Sequence, residues 1–162
     1  MENQAERGKQ WLEKLLVLMS LETRVISQEV PKIPTDTNSC WLDIDRTNLT
    51  DSQIQLLIGE RGKNIDALQY LANTILNFDR ESEAQGSYTI ELDDYRVKRY
   101  QELVTLANSA VEQVRNTGEE TEISDLSSAE RRQIHSLLQD SDDLTTESRG
   151  QEPNRRLVVR RR

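Results

Sequence analysis

One cysteine, Cys40, and one histidine, His135, stand among the 162 residues. A lone cysteine rules out an intramolecular disulfide, and one of each is too few to assemble a Cys/His zinc site. Runs of about 18 apolar residues, the length that crosses a bilayer, are missing. Hydrophobic residues make up 35% of the chain and charged residues 31%, a mixture that suits a soluble fold of amphipathic elements. The first twenty residues carry Glu2, Glu6 and Glu13 among their apolar positions and lack a small-residue cleavage site, so no secretory signal and no membrane association are expected, and the expected location is cytoplasmic. Without such a signal, the glycosylation acceptor Asn48-Leu49-Thr50 carries no weight. A single histidine also leaves little for catalysis, because His135 is the only unperturbed side chain that titrates near neutral pH. A Ser/His/Asp hydrolase is therefore not expected, and the chain reads as a non-enzyme. Asp43 and Asp45 share a strand face and could ligate Mg²⁺, but alternating acids on the exposed side of a strand are the ordinary pattern of solvated surface. No metal or cofactor is expected.

The net charge of −8 argues against a nucleic-acid partner, since phosphate attraction is the main sequence-independent source of such affinity. That charge is segregated. Residues 149–162 hold six arginines and one glutamate, leaving −13 on residues 1–148. A small basic site can hold an anion on an acidic protein, with weak long-range steering and strong salt sensitivity. Arg160, Arg161 and Arg162 read either as an electrostatic clamp or as a frayed, solvated tail.

Trp11, Leu12, Leu15, Leu16, Leu18 and Met19 recur at helical spacing, predicting an amphipathic helix over about residues 5–20. Val25, Ile26 and Val30, ahead of Pro31 and Pro34, read as a short strand followed by an irregular link through Asn38. Cys40, Leu42 and Ile44 alternate with Trp41, Asp43 and Asp45, as a strand with one buried face would. Thr50-Asp51-Ser52-Gln53 forms a capping box with Leu49 and Ile54 as a hydrophobic staple, so a helix should begin at Asp51 and end at Gly59. A second helix after Gly62 carries Ile65, Leu68, Leu71, Ala72, Ile75 and Leu76, and Glu81 to Ser87 reads as a polar loop. Tyr88, Ile90 and Leu92 then alternate with Thr89, Glu91 and Asp93 as a third strand. From Asp94 a long helix is expected, with Val97, Tyr100, Val104, Ala107, Val111 and Val114 on one stripe and Gly118 as its stop. A brief strand at Glu122–Ile123, a helix opened by the capping box Ser127-Ser128-Ala129-Glu130, and strands at 145–147 and 157–159 complete the chain.

Two segments carry candidate chemistry. In Leu57-Ile58-Gly59-Glu60-Arg61-Gly62-Lys63-Asn64-Ile65, two glycines flank two charged residues at a helix-to-helix joint, where a bare backbone can approach a phosphate. The following helix points its free N–H groups and positive dipole end at the loop, beside Arg61 and Lys63. A nucleotide-binding P-loop is excluded, because two residues rather than four separate the glycines and Asn64 follows the lysine. The alternative is a plain interhelical turn. In Arg131-Arg132-Gln133-Ile134-His135, Arg131 and His135 lie four residues apart on one helix face and could reach one ligand, the guanidinium for phosphate or stacking and the ring for a hydrogen bond. The alternative is a surface arginine beside a partly buried structural histidine.

The first segment resembles the Ile-Gly-x-x-Gly-x-x-Ile/Leu signature of the KH domain, and the order helix, strand, strand, helix, helix, strand is similar to the type II KH arrangement. That resemblance implies a loop that contacts the sugar-phosphate backbone and a groove for about four nucleotides. Gly59, Glu60, Arg61 and Gly62 would form the loop, Lys63 would lie beside it, and Ile58 and Ile65 would line the groove. Glu60 departs from the pattern, occupying a position that is often basic. The second segment, with Thr146-Glu147-Ser148-Arg149-Gly150 and Arg155-Arg156-Leu157-Val158-Val159, resembles the R-three-H domain, which is associated with polynucleotide binding. Taken with Asp66-Ala67-Leu68-Gln69-Tyr70-Leu71-Ala72-Asn73 and Asp94-Tyr95-Arg96-Val97-Lys98-Arg99, the chain resembles the Jag (SpoIIIJ-associated) family of bacterial RNA-binding proteins, without the separate N-terminal domain that many of them carry. The resemblance implies an α+β architecture, a type II KH domain over residues 1–94 and a small α/β R-three-H domain over 95–162. It also implies binding of single-stranded RNA, with single-stranded DNA as a further candidate, and action as a post-transcriptional regulator or RNA chaperone. The family is proposed to pair with a second small KH protein, so the rival expectation is a protein-interaction module that reuses the KH fold.

Overall fold

Local caps place several of the helices. The structure, a computed structural model, describes residues 3–28, 31–34, 38–78, 80–81 and 84–162. Asn3 accepts a hydrogen bond from the Ala5 N–H and opens α1 (Gln4–Leu18). Thr50 and Gln53 form the expected reciprocal box at the head of α2 (Asp51–Ile58), and Ser127 and Glu130 do the same for α5 (Ser128–Leu138). Each box satisfies two backbone donors that a helix start otherwise leaves orphaned. Gly118, at φ +75°, ends α4 (Tyr95–Thr117), its N–H returning to the Val114 carbonyl.

The chain is a mixed α+β protein, with two small sheets among the described residues, and it divides into two compact units, Met1–Val97 and Lys98–Arg162. In the first unit the element order is α1, β1 (Val25–Gln28), β2 (Ser39–Ile44), α2, α3 (Lys63–Asn77) and β3 (Ser87–Leu92). β2 lies in the middle of the sheet, antiparallel to β1 and parallel to β3, with Ser39 opposite Ser87 and Ile44 opposite Leu92. The parallel pairing requires a crossover, which α2 and α3 supply. Leu12 and Leu16 of α1, Ile54 and Leu57 of α2, and Ile65, Leu68 and Ala72 of α3 share one core with Leu42, Ile44, Tyr88, Ile90 and Leu92. Each large apolar side chain among them contributes about 1.5–3 kcal/mol when fully buried. The expected strand residue Val30, and residues 82 and 83 of the expected polar loop, lie outside the described residues.

The alternation expected of β2 and β3 is half right. Cys40, Leu42, Ile44, Tyr88, Ile90 and Leu92 do face or border the core, but Trp41 is fully buried, and Thr89 and Glu91 are buried as well. The opposite face is therefore covered over β2 and β3, while on the edge strand β1 Ile26, paired with Asp43, stays exposed. Ser39 and Thr89 share a hydroxyl hydrogen bond of 2.7 Å there, and Lys32 ties Asp43 to Asp94. Asp43, bonded to that lysine, is not the open carboxylate a cation site would need. Burial pushes the Glu91 carboxyl up, against the N–H groups of Arg96 and Leu92 and the nearby cations Arg96 and Lys32, which favour its charged form.

In the second unit, β4 (Thr121–Ile123), β5 (Leu144–Arg149) and β6 (Arg156–Arg161) form an antiparallel sheet in the order β4, β6, β5. Its core joins Leu103, Ala107, Ala110, Val111 and Val114 of α4 to Ile134 and Leu138 of α5 and to Leu144, Leu157 and Val159. The buried stripe of α4 is displaced from the one its valines predict. Leu103 and Ala110 are buried, whereas Val104 and Tyr100 are only half-buried. Arg99 bridges the two helices, bonding Glu130 at 2.6 Å and Glu102 at 2.7 Å. Burial works against the Glu130 charge, but its bonds from Arg99 and from the Ser127 N–H outweigh this and hold the carboxyl below its ordinary range.

Candidate functional site

The glycine loop of the first unit is shaped by two positions that tolerate no side chain. Gly59 adopts φ 75° and ψ 174°, and a Cβ there would fall 2.6 Å from the Asn64 side chain. That asparagine donates to the Leu56 carbonyl at 2.7 Å, closing the loop against the end of α2. Gly62, at φ 77°, is buried under Tyr95, and a Cβ would overlap the phenol oxygen. Arg96 braces the same corner, donating to Asp66 in the first turn of α3 at 3.0 Å and to the Ile90 carbonyl at 2.7 Å. Glu60, Arg61 and Lys63 are exposed, Arg61 holding a left-handed backbone at φ 56°. No side chain caps α3 at Gly62. Ile58 is half-buried against the core, and Ile65 is fully buried within it, so Ile65 supports the loop from beneath instead of lining open surface.

The second unit holds the other candidate site. Ser128, Arg131, Arg132 and His135 fall at three- and four-residue steps on α5 and so share a face. Opposite them lie Thr146 and Ser148 of β5, and Glu152 and Arg155 of the β5–β6 loop. Together with Glu147 and Leu157 these groups line a cavity of about 490 Å³. The exposures of Arg131 and His135 are the reverse of the alternative reading, a surface arginine beside a partly buried histidine. Arg131 is 4% exposed, and its guanidinium is spent on the Leu126 carbonyl at 2.7 Å, the Arg155 carbonyl at 3.3 Å and the Glu152 carboxylate. His135 is exposed, with Nδ1 hydrogen-bonded to the Thr146 hydroxyl.

Two further cations line the cavity, neither of them among the site residues expected from the sequence. Arg132 and Arg155 are both exposed, and among the described residues neither side chain has an ion pair or hydrogen bond. Most of the other C-terminal arginines are committed. Arg149 bonds Glu120 and Glu147, Arg156 bonds Glu122, and Arg160 lies 3.9 Å from Glu147. Nor is the terminus frayed, since β6 pairs with β5 as far as Arg161 opposite Leu144. The helical spacing from Ser128 to His135 is a legible signal for Arg132. Nothing local marks Arg155, which reaches the cavity only through the turn between β5 and β6.

No three or more His, Cys, Asp or Glu side chains gather as a metal site among the described residues, and there no helix is long and apolar enough to cross a membrane. Residues 101–161 match the R-three-H domain family. The chain is 32% identical over 112 residues to RNA-binding protein KhpB of Clostridium symbiosum, covering 69% of this chain and 50% of that protein. It is 36% identical over 112 residues to RNA-binding protein KhpB of Lactiplantibacillus plantarum, covering 69% and 34%, and 33% identical over 116 residues to that of Bacillus subtilis, covering 70% and 55%. The chain thus spans between about a third and a half of the length of the curated relatives it matches. The cavity built by α5, β5 and the β5–β6 loop accordingly lies inside an R-three-H domain, in a chain related to the KhpB proteins.

Proposed function

We propose that this chain binds single-stranded RNA without transforming it, through the cavity of the second unit and the glycine loop of the first. The observation that carries the reading is the pair of exposed arginines, Arg132 and Arg155, unpaired among the described residues and set beside His135 and three hydroxyls in one concave site. Two guanidiniums suit phosphates, and an imidazole and a guanidinium plane suit unstacked bases, which is the chemistry single strands present. The loop at Gly59–Gly62 supports the same reading, with its exposed cation Arg61, Lys63 alongside and an uncapped helix start behind. On this view the first unit is a type II KH domain, its order α1, β1, β2, α2, α3, β3 agreeing with that arrangement. The relatives' name as RNA-binding proteins supports RNA as the ligand, and a role as post-transcriptional regulator or RNA chaperone follows if the bound strands are regulatory.

The test is the affinity for a short unstructured RNA, read by fluorescence anisotropy across a series of salt concentrations. Three to five phosphate contacts predict a log–log slope of about −2 to −3.5. A flat response, or no binding at low salt, would remove the proposal.

A second reading, pairing with another small KH protein, draws on one observation. Tyr70, Leu71 and Ile75 leave α3 exposed at one- to five-residue spacing along one side, an apolar face on a helix whose other side fills the core. Sedimentation velocity of the wild type against Tyr70→Ser with Ile75→Ser tests it: self-association lost in the variant supports pairing, and a monomer in both opposes pairing between copies of this chain.

A further inference from the structure

A carboxylate in a site for an anionic strand needs a reason. Glu152 lines the same cavity as Arg132, His135 and Arg155, and its side chain is 58% exposed. It is held from below by Arg131, whose own side chain is 5% exposed and which also bonds two backbone carbonyls. The buried guanidinium therefore fixes where the carboxylate stands, while the carboxylate's outer side stays open to a ligand. Glu147, the other acid of the cavity, is occupied by Arg149. A phosphate is repelled at Glu152 and has Arg132 and Arg155 to go to. A hydrogen-bond donor is attracted there.

Resting on the RNA-binding reading of this cavity, we propose that Glu152 makes the site selective for guanine. The carboxylate offers two acceptor oxygens side by side. Among the four RNA bases only guanine presents two adjacent donors on its Watson–Crick edge, the ring N1–H and the N2 amino group. Cytosine and adenine place an acceptor nitrogen beside their amino group, and uracil flanks its one N–H with two carbonyls, so each sets an acceptor against the carboxylate. The ribose-phosphate of the same nucleotide then falls to Arg132 and Arg155. The hydroxyls of Ser128, Thr146 and Ser148, with the His135 ring, supply partners for the remaining base and sugar edges. A volume of about 490 Å³ lies in the range of pockets that take a small ligand such as one nucleotide, about 300–1,000 Å³.

The experiment uses the full chain and a set of fluorescent adenosine-rich octamers that differ at one central position, carrying G, A, C, U or inosine. Inosine keeps N1–H and lacks the N2 amino group, so it probes the second donor without touching the protein. The wild type should prefer G to A by about tenfold, the scale of a bidentate base contact, and should bind inosine at an intermediate level. Glu152→Gln should bring the ratio of G to A affinity close to one, and this ratio, read on the same sample, is the measure used. Equal wild-type affinity for all five RNAs overturns the proposal. So does a variant that tightens on every RNA by the same factor, since Glu152 would then act only as a charge that repels phosphate. If no octamer binds at any salt concentration, RNA binding itself fails and the selectivity falls with it.

Discussion

Arg131 is the residue whose spacing to His135 draws attention to α5, yet its removal should damage the fold first, and the affinity for RNA should rest on its neighbours. Arg131 is 4% exposed and satisfies the carbonyls of Leu126 and Arg155 and the carboxylate of Glu152. Arg131→Ala strands those acceptors, and each buried acceptor left unpaired costs about 1–3 kcal/mol. With three acceptors, one of them on a solvated glutamate, the loss is about 3 kcal/mol for the second unit. That corresponds to a fall in Tm of more than about 10 °C for a unit of this size. Arg132→Ala and Arg155→Ala remove exposed charges that have no partner among the described residues and should leave Tm unchanged. Each should weaken binding of an unstructured RNA octamer by about tenfold, on the scale of one hydrogen bond to a charged group. Together they should make the log–log salt slope shallower by about 1.4, or about 0.7 for each phosphate contact to a single strand. Arg156→Ala is the internal control, because that arginine is already paired with Glu122 and should alter neither slope nor affinity. Thermal melts by circular dichroism and anisotropy titrations from low to moderate salt read both quantities on the same samples. An Arg131→Ala protein that melts like the wild type but loses RNA binding, beside unaffected Arg132 and Arg155 variants, would refute the assignment.

The remaining predictions concern the loop and the acid response. Gly62→Ala forces a Cβ onto Tyr95 at positive φ and should cost about 2–4 kcal/mol by urea unfolding. Gly118→Ala, at a similar φ but with nothing within 4 Å, should cost only about 1 kcal/mol. Replacing both Glu60 and Arg61 with aspartate should leave the melt of the first unit intact and remove most RNA binding, because a doubly acidic loop repels the backbone. Retained affinity would move the contact away from the loop. Glu130 has its carboxyl depressed in the fold, so its contribution is complete above its unfolded value and is lost as pH falls through the folded one, below about pH 4.5. Glu130→Gln should cost about 1.5–3 kcal/mol at neutral pH and flatten stability against pH below that point. An unchanged acid limb would contradict the role given to the Arg99 bond.

Much of the architecture is legible because local chemistry writes it. The two capping boxes place the first residues of α2 and α5, and Gly59 and Gly118 mark helix ends that the backbone obeys. What escapes is set by packing between distant segments. Period-two alternation correctly finds the core side of β2 and β3, but it carries no information about what covers the other side, where Trp41, Thr89 and Glu91 are buried against expectation. On α4 the valines suggest one stripe, while Leu103, which fills the core, lies outside it. The candidate site shows the same division. The glycine loop is complete in one stretch of nine residues, Leu57 to Ile65, whereas the cavity needs α5, β5 and the β5–β6 loop brought together. Spacing places Arg131 and His135 on one face, but only the folded chain shows that the arginine is buried and bonded to the protein while the histidine is exposed.

Single-stranded RNA is proposed to bind at two places, the cavity of the second unit and the glycine loop of the first. The most direct measurement is a titration of an unstructured RNA octamer into ¹⁵N-labelled protein, following backbone and arginine side-chain NMR signals. Binding as described should shift the amides of Gly59 to Lys63 and the signals of Arg132, His135 and Arg155, with the core positions Leu42, Ile90 and Val159 unmoved. Shifts confined to other surfaces, or none at RNA concentrations that saturate the anisotropy signal, would contradict it.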